Sequence, residues 1–388
     1  MSMEFTFYMP AKILFGKGAL DKLAETKLPG QKALIVISAG GSMKRMGYLD
    51  RVQDLLKQNG VESAVYAGVQ PNPTLENVRN GAAMAKEQGC DFVIGLGGGS
   101  SIDAAKSIAV MAVNEGDYWD YLFGGSGKGQ PVPNKPLPIV AITTTAGTGT
   151  EADPWTVVTK EDTHEKIGFG NEDTFPALSI VDPDLMASVP PRLTAYQGFD
   201  ALFHSTEGYL ANIATPISDV FALKSMELIG KSLAKAVKDG SDEDARADVA
   251  LANTLSGLVE STSSCISEHS LEHALSGFHP ELPHGAGLIM ISEAYYSFFA
   301  DKAPQRMIDM ARALGKEDAD KPQDFIDALV KLQEDCGVRS LAMSEFGIDR
   351  DFTKYAQNAM DTMGGLFDFD PCRLSLEDAA SILENAYK

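Results

Sequence analysis

Histidine is scarce in this chain, and most of it is concentrated in one region. Five of the six histidines lie between residues 204 and 284, close to Asp200. Asp200 and His204 are four residues apart, as are His269 and His273, so each pair shares one face of a helix. Three imidazoles and one carboxylate form a donor set that suits Zn²⁺ or Fe²⁺. The concentration favours a metal site, although one such histidine alone would more often be structural.

The histidine pair does not form a zinc-protease motif. H-E-x-x-H requires a glutamate directly after the first histidine, and here Ser270 follows His269. A zinc protease would therefore lack its general-base glutamate. A metallohydrolase is the weakest hypothesis, because it would leave the glycine-rich turn that begins at Gly97 unexplained. Glu268 and Glu272 are either solvated helix residues or partners of metal ligands.

A glycine-rich turn at 97–106 follows a predicted strand and opens a predicted helix. Glycines let the backbone approach a ligand, and the helix N-terminus offers free N–H donors to a pyrophosphate. Ser100 and Asp103 form an S-x-x-D pattern, which predicts capping of that helix. The turn is not the standard Rossmann fingerprint, because Ser100 occupies the third glycine position. An ordinary tight turn between strand and helix stays an alternative.

A second polar run, at 143–151, combines hydroxyls and glycines directly after another predicted strand. Parallel sheets bind ligands at the carboxyl ends of their strands. Two such loops on neighbouring strands therefore favour a cofactor cleft over two solvated loops.

These motifs lie in two halves of different character. Strands are predicted at 33–37, 92–96, 138–142 and 178–181, with a helix at 74–88 between the first two. Near-continuous apolar strands between helices are typical of a parallel α/β sheet covered on both faces. The second half is helical, at 194–210 with Thr194 as N-cap and at 221–237, 245–258, 304–314 and 322–333. The predicted domains are 1–186 and 187–388.

Net charge, cysteine spacing and the absence of long apolar stretches exclude several classes of partner and site. The 388 residues carry a formal net charge of −21, which disfavours nucleic acid and membrane surfaces as partners. The four cysteines are far apart and form no C-x-x-C pair, which argues against a disulfide framework and a thiolate metal site. Neither a signal peptide nor a membrane-spanning apolar stretch is expected, so a cytoplasmic protein is predicted.

Taken together, the motifs resemble the iron-containing, or group III, alcohol dehydrogenase family. The glycine turn, the T-T-x-G-T-G run, the D-x₃-H pair and the H-x₃-H…P-H-G set occur in the family's order, nearly from end to end. The resemblance implies an N-terminal parallel-sheet dinucleotide-binding domain and a C-terminal all-helical metal-binding domain, with metal and nicotinamide meeting in the cleft between them. It also implies a homodimer or higher homo-oligomer.

The resemblance assigns roles residue by residue. The metal ligands would be Asp200, His204, His269 and His284, holding Fe²⁺ or, as an alternative, Zn²⁺. His273 matches a histidine near the nicotinamide and substrate, and is the candidate for relaying a proton. A packing role or a role supporting the ligands is its alternative. The expected cofactor-binding residues are Ser38, Gly40, Gly41, Ser42, Gly97, Gly98, Gly99, Ser100, Asp103, Thr144, Thr145, Thr148 and Lys166.

Three departures from the family pattern matter. The interval from His269 to His284 is one residue longer than in comparable members, and His279 lies within it as a competing ligand. Ser38 stands where NAD-preferring members often have an aspartate for the ribose 2′-hydroxyl, which favours NADP(H) over NAD(H). The tail reads Asp370-Pro371-Cys372-Arg373, where many members have Asn-Pro-Arg.

The predicted function is a metal-dependent alcohol dehydrogenase, or aldehyde reductase, that moves hydride between NAD(P)(H) and a small primary alcohol or aldehyde. The alternative is a redox-neutral, NAD-using sugar-phosphate lyase of the dehydroquinate synthase type. That reaction needs a basic cluster for a substrate phosphate, and none is evident beside Asp200 or His269. A metal- or nucleotide-binding protein without turnover is a third hypothesis.

Overall fold

The computed structural model describes residues 4–388, and they form two compact units. The sheet unit comprises residues 9–145 and 150–186. The helical unit comprises residues 187–388 together with two short segments, 4–8 and 146–149. The predicted domains, 1–186 and 187–388, place both short segments in the first domain instead. Residues 1–3 of the predicted first domain lie outside the described range.

The sheet unit contains eight described strands. Its strands are β1 (Lys12–Phe15), β2 (Lys32–Ser38), β3 (Glu62–Val69), β4 (Phe92–Gly97), β5 (Ile139–Thr143), β6 (Thr156–Lys160), β7 (Glu165–Phe169) and β8 (Leu178–Val181). Its α-helices are α1 (Ser42–Arg45), α2 (Tyr48–Gln58), α3 (Leu75–Gln88) and α4 (Gly99–Met111), with 3₁₀ turns at Ala19–Ala24, Tyr118–Tyr121, Glu161–Thr163 and Pro183–Met186.

Six strands form one parallel sheet in the order β1-β8-β5-β4-β2-β3, and β6 and β7 form an antiparallel hairpin. The four predicted strands are confirmed as β2, β4, β5 and β8. Sequence reasoning missed β1 and β3, which are the two edges of the sheet. Their half-exposed side chains do not form the continuous apolar run that marks a central strand.

The order of the strands creates a ligand-binding edge. From β2 the chain moves outward to β3, and it then crosses back to place β4 on the other side of β2. In doubly wound sheets, ligands bind at the carboxyl ends of the two strands where the order reverses. Ser38 ends β2 and Gly97 ends β4, so both fall at this point.

Helix α4 lies close against strand β4. Every residue of β4 is buried, and a Cβ added to Gly95 would stand 2.7 Å from the Cα of Ile102. The absence of a side chain at Gly95 therefore sets how closely α4 approaches the sheet.

The helical unit contains α5 to α13. They are α5 (Pro191–Leu210), α6 (Pro216–Lys238), α7 (Glu243–Thr262), α8 (Ser267–Phe278), α9 (His284–Phe299), α10 (Pro304–Ala313), α11 (Gln323–Asp335), α12 (Phe352–Met363) and α13 (Leu376–Ala386), with 3₁₀ turns at Met343–Phe346 and Gly364–Phe369. A parallel-sheet domain followed by a helical domain is the predicted fold class, which is confirmed. Among residues 4–388, no helix combines the length and the apolar run needed to cross a bilayer.

The predicted N-cap at Thr194 is wrong. The N-cap of helix α5 is Pro190, four residues earlier, and Pro191 is the first residue of the helix. Proline suits the first helical position because its missing N–H would have had no partner within the helix. Thr194 instead lies in the first turn, and its N–H donates to the carbonyl of Pro190 at 2.9 Å.

We expect Gly95→Ala to destabilise the protein by about 1–3 kcal/mol, because the new methyl group meets backbone rather than a mobile side chain. Urea unfolding measures the effect. Gly40→Ala is the control, since a Cβ there meets nothing within 4 Å. Equal unfolding free energies for the two variants would contradict the close packing of α4 on β4.

Candidate metal centre and dinucleotide-binding turn

Three histidine rings converge on one carboxylate oxygen in the helical unit. Asp200 and His204 lie one turn apart on α5, His269 lies on α8, and His284 is the first residue of α9. The Nε2 atoms of His204, His269 and His284 lie 3.7, 3.6 and 3.3 Å from Oδ1 of Asp200. Four side chains from three helices therefore present their polar atoms to one small volume.

The donor atoms of this cluster fit a divalent ion. Oδ1 of Asp200 and Nε2 of His269 are buried and have no hydrogen-bond partner within residues 4–388, which is costly unless another group satisfies them. Burial favours the neutral acid, yet His204 and His284 outweigh it and hold the pKa of Asp200 well below its usual range. Burial lowers the pKa of His204 to about 3, so that its imidazole is neutral, as a metal ligand must be.

The other ring nitrogen of two histidines is held by a buried glutamate. Nδ1 of His269 pairs with Oε1 of Glu207, and Nδ1 of His284 pairs with Oε2 of Glu272. Both glutamates are fully buried. A carboxylate at Nδ1 fixes the ring orientation and places the proton on Nδ1, which leaves a lone pair on Nε2 for a metal.

His204 has one hydrogen-bond acceptor and one carboxylate near its second ring nitrogen. Its Nδ1 lies 3.2 Å from the carbonyl oxygen of Gly147 and 3.5 Å from Oε1 of Glu260. Sequence reasoning missed Glu207 and Glu260 as partners, because a carboxylate on a helix ordinarily indicates a solvated face. One signal was present for Glu207, which lies three residues after His204 and therefore on a neighbouring part of the same helix face.

Glu268 and Glu272, which the sequence left as solvated residues or partners of ligands, are both fully buried. Glu272 supports His284, whereas Glu268 accepts a hydrogen bond from the Tyr296 hydroxyl at 2.5 Å. A solvated role is therefore wrong for both.

Two further histidines lie near the cluster in different ways. The ring of His273 is centred 5.3 Å from that of His284, and it is buried. The Nε2 of His279 lies 2.8 Å from the Tyr355 hydroxyl, so this nitrogen is already engaged away from Asp200. The geometry therefore favours His284 over His279 as the fourth donor.

Cys265 is a neighbour that the sequence did not indicate. Its sulfur and one ligand atom from each of His204 and His269 lie within 4.8 Å of one another. The sulfur is also 3.8 Å from Oε2 of Glu260. Burial raises the pKa of the Cys265 thiol, which keeps it protonated and a poor ligand.

The N-terminus of α8 is satisfied by buried carboxylates. Oε2 of Glu207 accepts from the N–H of Ile266 at 2.7 Å. Oδ1 of Asp370 accepts from the N–H of Ser267 at 3.1 Å and from its hydroxyl at 2.9 Å. Negative groups stabilise the free N–H donors and the positive end of a helix. They thereby fix the helix that carries His269 and His273.

In the sheet unit, the glycine turn packs so closely that side chains would not fit at Gly97 or Gly98. Gly97 ends β4 with φ of +150°, Gly98 is the N-cap of α4, and Gly99 is its first residue. A Cβ on Gly98 would stand 2.9 Å from Oγ1 of Thr145, and the N–H of Thr144 donates to the carbonyl of Gly97 at 2.9 Å. The turn and the threonine run therefore lie side by side at the carboxyl ends of β4 and β5.

The predicted capping of α4 by Ser100 and Asp103 is wrong. Gly98 caps the helix without a side-chain bond. The Asp103 carboxylate instead accepts from the Thr150 hydroxyl at 2.8 Å and from the N–H of Val157 at 3.0 Å. Burial raises the pKa of Asp103 to about 6, against the influence of Lys106. Its carboxylate thus ties α4 to the start of β6, while Ser100 stays in the first turn of α4.

The remaining candidates are distributed over three places. Gly41 is the N-cap of α1 with φ of +71°, between the exposed Gly40 and the first helical residue Ser42, just after Ser38. Lys166 is buried in β7. Thr148 belongs to the helical unit, unlike the other candidate cofactor residues. The structure brings the glycine turn, Thr144 and Thr145 together.

Comparison with known families fits both parts of this description. The family model for iron-containing alcohol dehydrogenases matches residues 10–183, and the model for the C-terminal part of that family matches residues 194–387. The chain belongs to the iron-containing alcohol dehydrogenase family.

Individual relatives agree over the whole chain. It is 35% identical to alcohol dehydrogenase 4 of Saccharomyces cerevisiae, with all of both chains covered. Its structure resembles that of an archaeal halo-thermophilic alcohol dehydrogenase from a Red Sea brine pool, with a TM-score of 0.94, 35% identity and full coverage of both chains. It also resembles NADH-dependent butanol dehydrogenase A of Thermotoga maritima, with a TM-score of 0.89, 30% identity and 99% of both chains covered. The predicted oxidoreductase class is therefore confirmed.

We expect Glu272→Gln to weaken binding of Zn²⁺ or Fe²⁺ by about 10- to 100-fold, because the neutral amide makes His284 a poorer donor. Competition with a chelator of known affinity measures the dissociation constant. Glu384→Gln removes a charge from an exposed position and serves as the control. Equal ion affinities in the two variants would show that Glu272 does not support the ligand.

We expect Asp370 to make folding stability depend on pH. Burial, with a contribution from the charge of Glu207, raises the pKa of Asp370 from 3.8 to about 7, despite its bonds with Ser267. A raised pKa stabilises the folded protein fully below the unfolded value, and this stabilisation is lost as the pH rises through about 7.

Urea unfolding at pH 5, 6.5 and 8 should therefore show a steeper loss of unfolding free energy in the natural protein than in Asp370→Asn. Asp368→Asn is the matched control, since that carboxylate is exposed in the 3₁₀ turn that directly precedes Asp370. Parallel curves for the natural protein and Asp370→Asn would contradict the raised pKa.

Proposed function

We propose that the chain is a metal-dependent alcohol dehydrogenase that uses NAD(P)(H), with Asp200, His204, His269 and His284 holding Fe²⁺ or Zn²⁺. One observation carries this assignment: three Nε2 atoms converge on a buried carboxylate oxygen that has no hydrogen-bond partner among residues 4–388. The proposed substrate is a small primary alcohol or its aldehyde. Membership of the family supports the reaction class.

The reaction requires a bound metal ion and a nicotinamide cofactor. The protein holds the groups around them in the geometry that the reaction needs. The ion would act as a Lewis acid on the substrate oxygen, and the nicotinamide would exchange hydride with the substrate carbon. Asp200 supplies an ionised carboxylate, and the glutamates at Nδ1 fix the histidine rings. Because the cluster is buried, these groups need no reorganisation by water during the reaction.

The dinucleotide is assigned to the edge where β2, β4 and β5 end. The supporting observations are the positive φ at Gly97, the free helix N-terminus at Gly99 and the neighbouring threonines. The proposed contacts at Ser38, Gly40, Gly41, Ser42, Gly98, Ser100, Asp103, Thr144, Thr145, Thr148 and Lys166 follow from the family resemblance. The Asp103 carboxylate already has two partners within the protein, so a structural role competes there.

The assay is nicotinamide absorbance at 340 nm, with short aldehydes plus NADPH or NADH, after anaerobic loading of Fe²⁺ or Zn²⁺. Net, ion-dependent oxidation of the cofactor is expected. Full ion loading without net oxidation of either cofactor would favour the redox-neutral lyase alternative. The expected homodimer and cytoplasmic location also stay predictions.

We expect Ser38→Asp to lower the preference for NADPH over NADH by at least about tenfold, because a carboxylate would repel the 2′-phosphate and accept from a 2′-hydroxyl. The ratio of kcat/KM values for the two cofactors measures it. Ser241→Asp adds the same charge at an exposed site in the other unit. A natural enzyme that already prefers NADH would contradict the proposed NADP(H) preference.

We expect His273→Gln to lower turnover by about 100-fold or more while the bound ion is retained, because His273 is the proposed proton relay beside the cluster. Turnover and ion content are measured on the same samples. His279→Gln is the matched control, since that ring bonds to Tyr355 instead. Turnover near the natural rate in His273→Gln would leave His273 with a packing role.

A further inference from the structure

Four residues, 146–149, leave the sheet unit and belong to the helical unit, while Thr145 and Thr150 on either side belong to the sheet unit. This short segment, Ala146–Gly149, lies within the polar run that follows β5. Nothing in the proposed mechanism explains what fixes its conformation.

One side chain on α7 holds the end of this segment. The N–H of Gly149 donates to Oδ1 of Asn253 at 2.8 Å, and both residues are buried. A hydrogen bond between buried groups is costly to lose, because the donor that remains has no access to water. Asn253 therefore specifies where the segment ends.

Close packing against the backbones of α5 and α7 also fixes the position of the segment. A Cβ on Gly257 of α7 would stand 2.1 Å from the carbonyl oxygen of Gly149. A Cβ on Gly147 would stand 2.9 Å from the Cα of Gln197 on α5. Gly147 and Gly149 thus lie directly against helix backbone, where side chains could not fit.

The segment carries two groups that matter for the proposed reaction. The carbonyl of Gly147 faces Nδ1 of His204 at 3.2 Å, so its position sets the tautomer and orientation of that histidine. Thr148, between the two glycines, is a proposed dinucleotide contact. A shift of the segment would therefore disturb the ion and the dinucleotide together.

We propose that Asn253 is a positioning residue for both ligands: through Gly149 it holds Thr148 for the dinucleotide and Gly147 for His204. This inference rests on the proposed function, since it assumes that His204 binds the ion and Thr148 the dinucleotide. It assigns Asn253 no contact with either ligand. The two affinities share one support, so weakening that support lowers both.

The test compares Asn253→Leu with Ser256→Ala in the full-length protein. Leucine has the same number and branching of side-chain heavy atoms, and no acceptor for the Gly149 N–H. Ser256 is buried on the same helix, and its hydroxyl bonds only within α7, to the carbonyl of Asn253 at 2.7 Å. Calorimetric titration with NADPH and NADH gives the dinucleotide dissociation constant, and chelator competition with Zn²⁺ gives that of the ion. Urea unfolding records any general loss of stability.

Asn253→Leu is expected to weaken both affinities by roughly tenfold relative to Ser256→Ala, in line with the loss of one buried hydrogen bond. Asn253→Asp keeps the acceptor oxygen and should restore most of each affinity. If Asn253→Leu does not fold, Asn253→Ser, whose hydroxyl is too short to reach Gly149, gives the same comparison.

A change in only one affinity, or a loss of stability with both affinities unchanged, would overturn the proposal. Failure of the proposed function is distinguishable, because the natural protein itself would then bind neither Zn²⁺ nor dinucleotide.

Discussion

The Asp200 carboxylate imposes the constraint on which the helical unit depends. It is buried and ionised, and three imidazoles direct Nε2 at one of its oxygens. Since Nδ1 of each ring faces an acceptor, the proton belongs on Nδ1 and the lone pair on Nε2. Lone pairs on Nε2 would repel the anionic oxygen, whereas a bound cation or a proton on Nε2 would hold these atoms together. The geometry therefore supports the proposed metal site.

The carboxylates around the histidine rings add further buried negative charge that must be compensated. Glu207, Glu260 and Glu272 lie around the rings, and removing such groups from water costs several kcal/mol per ion. A divalent ion bound at the cluster would offset part of this charge. The N-terminus of α8 offsets more, because its N–H groups donate to Glu207 and Asp370. Glu207 thus joins the helix end to a candidate ligand, so the helix cap helps to fix the position of His269.

Sequence reasoning succeeded where function depends on local spacing or on residue type. The pairing of Asp200 with His204 follows from helical periodicity, and the four central strands follow from their apolar runs. Sequence reasoning failed where tertiary contacts determine the role of a side chain. The S-x-x-D pattern indicated a cap, yet Asp103 bonds with Thr150 and Val157, residues distant in the chain. Glutamates on a helix ordinarily indicate solvent, and only the fold shows Glu207 beneath a histidine.

The glycines of the polar run after β5 show how one motif can meet two structural demands. From sequence alone, glycine there indicates close approach to a ligand. In the structure, Gly147 and Gly149 are required by contact with the backbones of α5 and α7, because a side chain at either would meet main-chain atoms. The threonines at 144 and 145 stay beside the glycine turn of the sheet unit. The run therefore joins a strand end suited to a dinucleotide with a carbonyl that orients a candidate metal ligand, and its glycines serve the second of these tasks.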